Sequence, residues 1–211
     1  MTMLKAAHAL TRLRDGNQRF ASNRSIARFF SDPDRRAELI SGQEPFAVIL
    51  GCSDSRVPAE LIFDQGFGDL FVIRVAGNIV APSQVGSVEF AASLFATRLV
   101  VVLGHTQCGV VTATLEELQG RATNQSKNLR SIVDRVRPPV EKVLASGQED
   151  GWEALLHAAV RANVRASADH LRHGSKLLEQ LIQDDGLAVV GAEYSLETGI
   201  VDFFDGVLEP G

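Results

Sequence analysis

A chain of 211 residues, 45% hydrophobic and 22% charged, is long enough to enclose a sizeable core in one domain with helical elaboration. Its formal net charge of -5, with no long basic run, argues against nucleic acid or an anionic membrane surface as a partner. No stretch approaches the roughly 20 apolar residues that span a bilayer, and the opening "MTMLKAAHALTRLRDGNQRF" lacks the apolar core of a secretion signal. Two cysteines do not make a secreted disulfide framework. The reading is a cytoplasmic protein with reduced thiols.

The N-terminal segment carries Leu10, Leu13, Asn17 and Phe20 at helical spacing, a narrow stripe that predicts a helix laid on another surface. Residues 46–51, "FAVILG", are the first of four apolar runs; the others are 70–77, "LFVIRVAG", 99–104, "LVVVLG", and 187–194, "LAVVGAEY". Nearly continuous apolarity predicts strands covered on both faces, as in a parallel sheet. Between them, 84–98 is rich in helix formers, 110–120 is a helix stopping at Gly120, 119–130 is a polar loop, and 152–172 is a long Ala-rich helix. This β-then-α alternation predicts an α/β fold, a mostly parallel central sheet flanked by helices. No linker, repeat or low-complexity segment divides residues 1–211, so they read as a single domain.

Ligands in open α/β sheets bind beyond the carboxyl ends of the strands. Cys52 follows the first run and His105 the third. If those strands are neighbours, both residues emerge at one edge, and Cys108 lies one helical turn beyond His105. Asp54 and Arg56 complete the group. Two thiols, an imidazole and a carboxylate suit Zn²⁺ in tetrahedral geometry. Three protein ligands leave a catalytic position open, and a fourth closes it. Asp54 is near enough to Cys52 to reach the same metal, yet Arg56 is near enough to claim Asp54 in a bidentate pair. Blander readings stand beside this one: buried inert thiols, a hydrogen-bonded structural histidine, and a solvated ion pair worth little. His8, His157, His170 and His173 read as solvated or structural.

At these residues the sequence resembles the β-class carbonic anhydrases. "CSDSRVP" (52–58) and "HTQCG" (105–109) are similar to the two signature blocks of that family, and the likeness continues through "GDLFVIRVAGN" (68–78) and "GSVEFAA" (86–92). The resemblance implies one Zn²⁺ per chain on Cys52, His105 and Cys108, with Asp54 as a fourth ligand only in a closed state. It implies reversible hydration of carbon dioxide to bicarbonate and a proton by a zinc-bound hydroxide, with Asp54 and Arg56 as a catalytic dyad that orients the nucleophile and gates the metal. Substrate-binding positions carry over onto Gln43, Phe71, Ala76, Phe90 and Gly109. Phe90 stands where tyrosine is frequent, contributed from a neighbouring subunit. The resemblance further implies residues 1–42 as an N-terminal helical arm wrapping over the partner of a homodimer, which pairs further into a tetramer in some members. Arg74 matches the arginine of a bicarbonate-regulated branch, but Ile49 stands where that branch has tryptophan, so an open site without that regulation is expected. Two thiolates give the metal more charge than imidazoles would, which favours activity at alkaline pH. A noncatalytic zinc protein of the same fold and a zinc hydrolase of a related linear molecule such as carbon disulfide remain the alternatives.

Overall fold

The computed structural model describes residues 4–26, 32–121, 126–148 and 150–207. In chain order the elements are α1 (Ala6–Ala21), α2 (Pro33–Glu38), β1 (Ala47–Gly51), α3 (Ala59–Ile62), β2 (Leu70–Arg74), α4 (Pro82–Leu94), β3 (Leu99–His105), α5 (Gly109–Leu118), α6 (Lys127–Ser146), α7 (Trp152–His173), α8 (Lys176–Asp184), β4 (Ala188–Tyr194) and β5 (Val201–Asp205). The strands form one sheet in the order β2-β1-β3-β4-β5. The first four are parallel, and β5 is an antiparallel edge. This is the predicted α/β fold with a mostly parallel sheet. Among the described residues, no helix is long and apolar enough to cross a membrane.

Continuous apolarity in β1 and β3 has the expected cause, since every residue of both strands is buried. Ile49, Val101 and Leu103 face a layer holding α1 and α3, while Val48, Leu50, Val100 and Val102 face one holding α4, α7 and α8. Glycine at 104 and 191 lets α7 approach: a Cβ at Gly104 would lie 2.5 Å from Val164 Cγ2, and one at Gly191 2.9 Å from Val164 Cγ1.

The four predicted strands and the helices at 110–120 and 152–172 stand close to their expected bounds. Helix α4 stops at Leu94, short of residue 98, because Ala96 takes a positive φ of 51° and Arg98 Nη1 donates back to the Ala92 carbonyl at 2.8 Å. The predicted loop at 119–130 is helical from Lys127 on, started by the Ser126 side chain accepting from the Leu129 N–H at 3.2 Å; residues 122–125 lie outside the described residues. Helices α6 and α8 and strand β5 were not among the predicted elements. Pro138 and Pro139 lie inside α6, against the usual reading of proline as a helix breaker.

The N-terminal stripe lies on another surface as expected, burying itself on the chain's own sheet. Leu10 and Leu13 are fully enclosed with Ile49, Val101 and Leu103. Asn17 Nδ2 donates to the carbonyls of Ile62 at 3.1 Å and Gly199 at 2.9 Å, and its Oδ1 accepts from the Val201 N–H at 2.9 Å. Gly16 is the point of closest approach, where a Cβ would lie 1.8 Å from the Phe63 carbonyl oxygen. In an open helix Gly→Ala stabilises by about 1 kcal/mol. Here Gly16→Ala is expected to destabilise by about 2 kcal/mol through overpacking against backbone, read as a lower urea midpoint at unchanged slope.

Candidate metal centre

Strand β1 pairs directly with β3, with Gly51 opposite Leu103. Their carboxyl ends therefore deliver Cys52 and His105 side by side. After His105 the chain reverses through Gln107, whose φ of 56° is left-handed, and enters α5 with Cys108 as its N-cap. Cys52 Sγ, Cys108 Sγ and a ring nitrogen of His105 lie within 4.8 Å of one another, and all three residues are buried. This is close enough for one ion to reach all three, and among the described residues it is the one such Cys/His/Asp/Glu group.

The protonation pattern fits a cation. His105 is wholly buried, and its Nδ1 lies 2.9 Å from the Thr106 carbonyl, so Nδ1 carries the ring proton. That leaves the Nε2 lone pair facing the cluster, buried and without a hydrogen-bond partner. The neighbouring Cys108 thiol draws the Cys52 pKa well below the usual thiol range against the opposing effect of burial. The same contact, with burial, holds the proton on Cys108 and pushes its pKa up. Two buried sulfurs beside an orphaned imidazole nitrogen form a donor set that a dication stabilises by displacing thiol protons. Backbone N–H groups of Asp54 and Gly77 point at Cys52, and those of Val110 and Val111 at Cys108.

Asp54 stands beside this cluster, with Oδ2 3.8 Å from His105 Nε2. Arg56 holds it through two parallel hydrogen bonds, Nε to Oδ1 at 2.9 Å and Nη2 to Oδ2 at 2.7 Å, and the Arg56 N–H adds a third to Oδ1 at 3.0 Å. These bonds keep the Asp54 carboxyl well below the usual carboxylate range. Arg74 Nε and Nη2 donate to the carbonyls of Cys52 at 3.1 Å and Asp54 at 2.6 Å. Ile49 is buried in the sheet.

The other sequence-derived positions divide into two groups. Gly109 follows Cys108 at the start of α5, and Ala76 opens the turn Ala76–Asn78, next to the Gly77 N–H that faces Cys52. Phe71 pairs with Val48, four residues before Cys52, which sets it about 13 Å back along the sheet. Phe90 contacts Phe71 and Phe95, with ring centroids 6.2 and 5.6 Å away, and is 51% exposed. Gln43 lines a cavity with Phe95 ahead of β1. One chain therefore does not bring Gln43, Phe71 and Phe90 to Cys52, His105 and Cys108. The contacts of Gly77 and Arg74 escape sequence reasoning, because backbone donors and acceptors have no signature of their own.

The sequence model of the carbonic anhydrase family matches residues 47–201. Carbonic anhydrase 2 of Mycobacterium tuberculosis (strain CDC 1551 / Oshkosh) is 40% identical over 187 residues, covering 89% of this chain and 87% of that protein. The carbonic anhydrase of Mycolicibacterium smegmatis is 38% identical over 192 residues, covering 90% and 89%. Among solved structures, the β-carbonic anhydrase CafA of Aspergillus fumigatus superposes with a TM-score of 0.74 at 25% identity, covering 96% of this chain and 92% of that one. The β-carbonic anhydrase CcaA gives 0.75 at 26% identity, covering 96% and 94%. The chain belongs to the carbonic anhydrase family, a family of enzymes, and within it to the β class.

Loss of one donor from a three-residue set costs more than the roughly 10–100-fold that loss of an outer hydrogen bond costs a metal site. Cys52→Ser and Cys108→Ser are each expected to lower metal affinity at least about 100-fold. Metal analysis of the purified, folded variants checks this, and full occupancy in either removes that residue from the donor set.

Proposed function

We propose that the chain holds one Zn²⁺ on Cys52, His105 and Cys108 and catalyses the reversible hydration of carbon dioxide to bicarbonate and a proton. The observation that carries this reading is the Asp54–Arg56 pair, with Asp54 Oδ2 3.8 Å from His105 Nε2 and bound to Arg56 at 2.7 Å. A structural metal needs no such carboxylate at its edge. When bound, zinc supplies a Lewis acid that lowers the pKa of a water from about 15.7 toward 7. Asp54, ionised and beside the cluster, would accept a hydrogen bond from the attacking water and so orient it toward the substrate. Arg56 keeps Asp54 ionised and turned away from the metal. Ala76 lines the approach of an apolar molecule at the cluster's edge.

Gln43, Phe71 and Phe90 serve the same reaction from a second copy of the chain. The support is their distance from Cys52 within one chain and the exposure around them, with Ile40 at 87% and Leu94 at 63%. Covering these side chains favours a homodimer. β-Carbonic anhydrases of Sordaria macrospora with this fold are tetramers, so two such dimers pairing is a natural extension. Both cysteines are free, in keeping with a reducing cytoplasm.

Three expectations follow. Asp54→Asn and Arg56→Ala should retain zinc yet hydrate carbon dioxide at least about 100-fold more slowly, the usual scale for loss of a proton acceptor; stopped-flow hydration alongside zinc assay decides it, and near-wild-type rates would discard the dyad. Sedimentation at micromolar concentration should show dimers or larger, whereas an active monomer contradicts the shared site. A crystal structure above pH 7 should show Asp54 on Arg56 and off the zinc. Arg74 already spends its Nε and Nη2 donors on backbone carbonyls, so bicarbonate bound beside Ile49 in that crystal would overturn the unregulated reading.

A further inference from the structure

Gly77 donates its N–H to Cys52 Sγ at 3.4 Å. Its φ of 70° and ψ of 18° are left-handed, and a Cβ there would lie 3.0 Å from Val110 Cγ1, so the position demands glycine. Glycine also leaves its two flanking peptide planes free to rotate, and the planes carry the Gly77 N–H and the Gly77 carbonyl respectively. The turn is closed locally, the Asn78 N–H donating to the Val75 carbonyl at 3.0 Å, and two further restraints come from far along the chain. Asn163 Nδ2 in α7 donates to the Gly77 carbonyl at 2.9 Å, and Ser167 Oγ, one turn later on the same helix face, donates to the Asn78 carbonyl at 3.0 Å.

Asn163 is 1% exposed and lies beside the wholly buried Val164 on the face that α7 presses onto the sheet. A buried amide costs stability unless its hydrogen bonds are made. An apolar residue would fill this place without that cost, and the bond to Gly77 is the only side-chain hydrogen bond Asn163 makes among the described residues.

We propose that Asn163 is a positioning residue for the metal centre. By holding the Gly77 carbonyl it adds a second restraint to the turn that the Asn78 N–H closes on the Val75 carbonyl, and so keeps the Gly77 N–H aimed at the Cys52 sulfur. That hydrogen bond draws charge from the thiolate and so limits what Cys52 gives to the metal, as outer hydrogen bonds tune metal sites generally. This rests on the reading of Cys52 as a metal ligand. Ser167, which holds the next carbonyl, has no direct hold on Gly77.

The full chain, labelled with ¹⁵N and loaded with ¹¹³Cd in place of zinc, tests this by NMR. The Cys52 β-protons report the Cd–S bond, and the Gly77 amide proton reports a coupling to ¹¹³Cd across its hydrogen bond to sulfur. In the wild type both couplings are expected. In Asn163→Leu the Gly77 coupling should vanish and its amide exchange rise at least about tenfold, the factor for 1.4 kcal/mol, while Ser167→Ala keeps the coupling. With Co²⁺ in the site, the sulfur-to-metal charge-transfer band of Asn163→Leu should move to lower energy. Should that variant fail to fold, Asn163→Ala makes the same comparison. A Gly77 coupling absent from the wild type, or retained in the Asn163 variants with an unmoved band, overturns the proposal. Absence of coupling from the Cys52 β-protons themselves overturns the ligand assignment first, and the proposal with it.

Discussion

The parallel pairing of β1 with β3 is the constraint on which the site depends. In a parallel pair both strands end at the same edge, so two residues 53 positions apart, Cys52 and His105, meet without any local motif joining them. A one-residue slip of register would turn one side chain to the opposite face. Burial of both strands on both faces makes such a slip costly, because it would move Val48, Leu50, Val100 and Val102 out of one layer and into the other. The apolar sheet thus sets where the donor atoms stand.

Against that rigid background the carboxylate beside the cluster is set by competition. Asp54 lies within reach of the cluster's donor atoms but takes three charge-assisted hydrogen bonds from Arg56, two of them from its guanidinium. Arg74 holds the backbone of the same loop from β2, through the carbonyls of Cys52 and Asp54. One arginine fixes the carboxylate and the other fixes the chain that carries it. Under the proposed function the pairing matters because, freed from Arg56, this carboxylate would be the next anion after the cysteine sulfurs to reach a dication and would close the open coordination position.

Legibility in the sequence followed the physical origin of each feature. Runs such as "LVVVLG" are visible because burial on both faces leaves a one-dimensional pattern, and Cys52, His105 and Cys108 are visible because thiols and imidazoles are rare and fall at strand ends. Helix α6 was hidden by the prolines at 138 and 139, which local propensity reads as a break and which packing of Val133, Val136 and Val140 overrides. Strand β5 is half-exposed and lacks a continuous apolar run. Asn163 reads as one more polar residue in an amphipathic helix. Its role depends on a carbonyl 86 residues away, and nothing local to either residue announces the contact.

The two ends of the sheet are also unequal in a way that bears on assembly. The carboxyl end gathers buried donors, while the amino end carries Phe90, Leu94 and Ile40 in contact with solvent. Phe71, Phe90 and Phe95 already pack on one another in tilted and edge-to-face pairs, with centroids 5.6 to 6.2 Å apart, so the patch is a preformed surface rather than scattered side chains. Exposed aromatic surface of this kind is unfavourable in water and gains most by being covered. In the proposed dimer, a second copy would bring the apolar wall of one chain to the polar centre of the other. For a substrate as apolar as carbon dioxide, that proposal gives the dry wall and the charged centre one shared role. Solvent exposure of the one and isolation of the other would then be removed in a single association step.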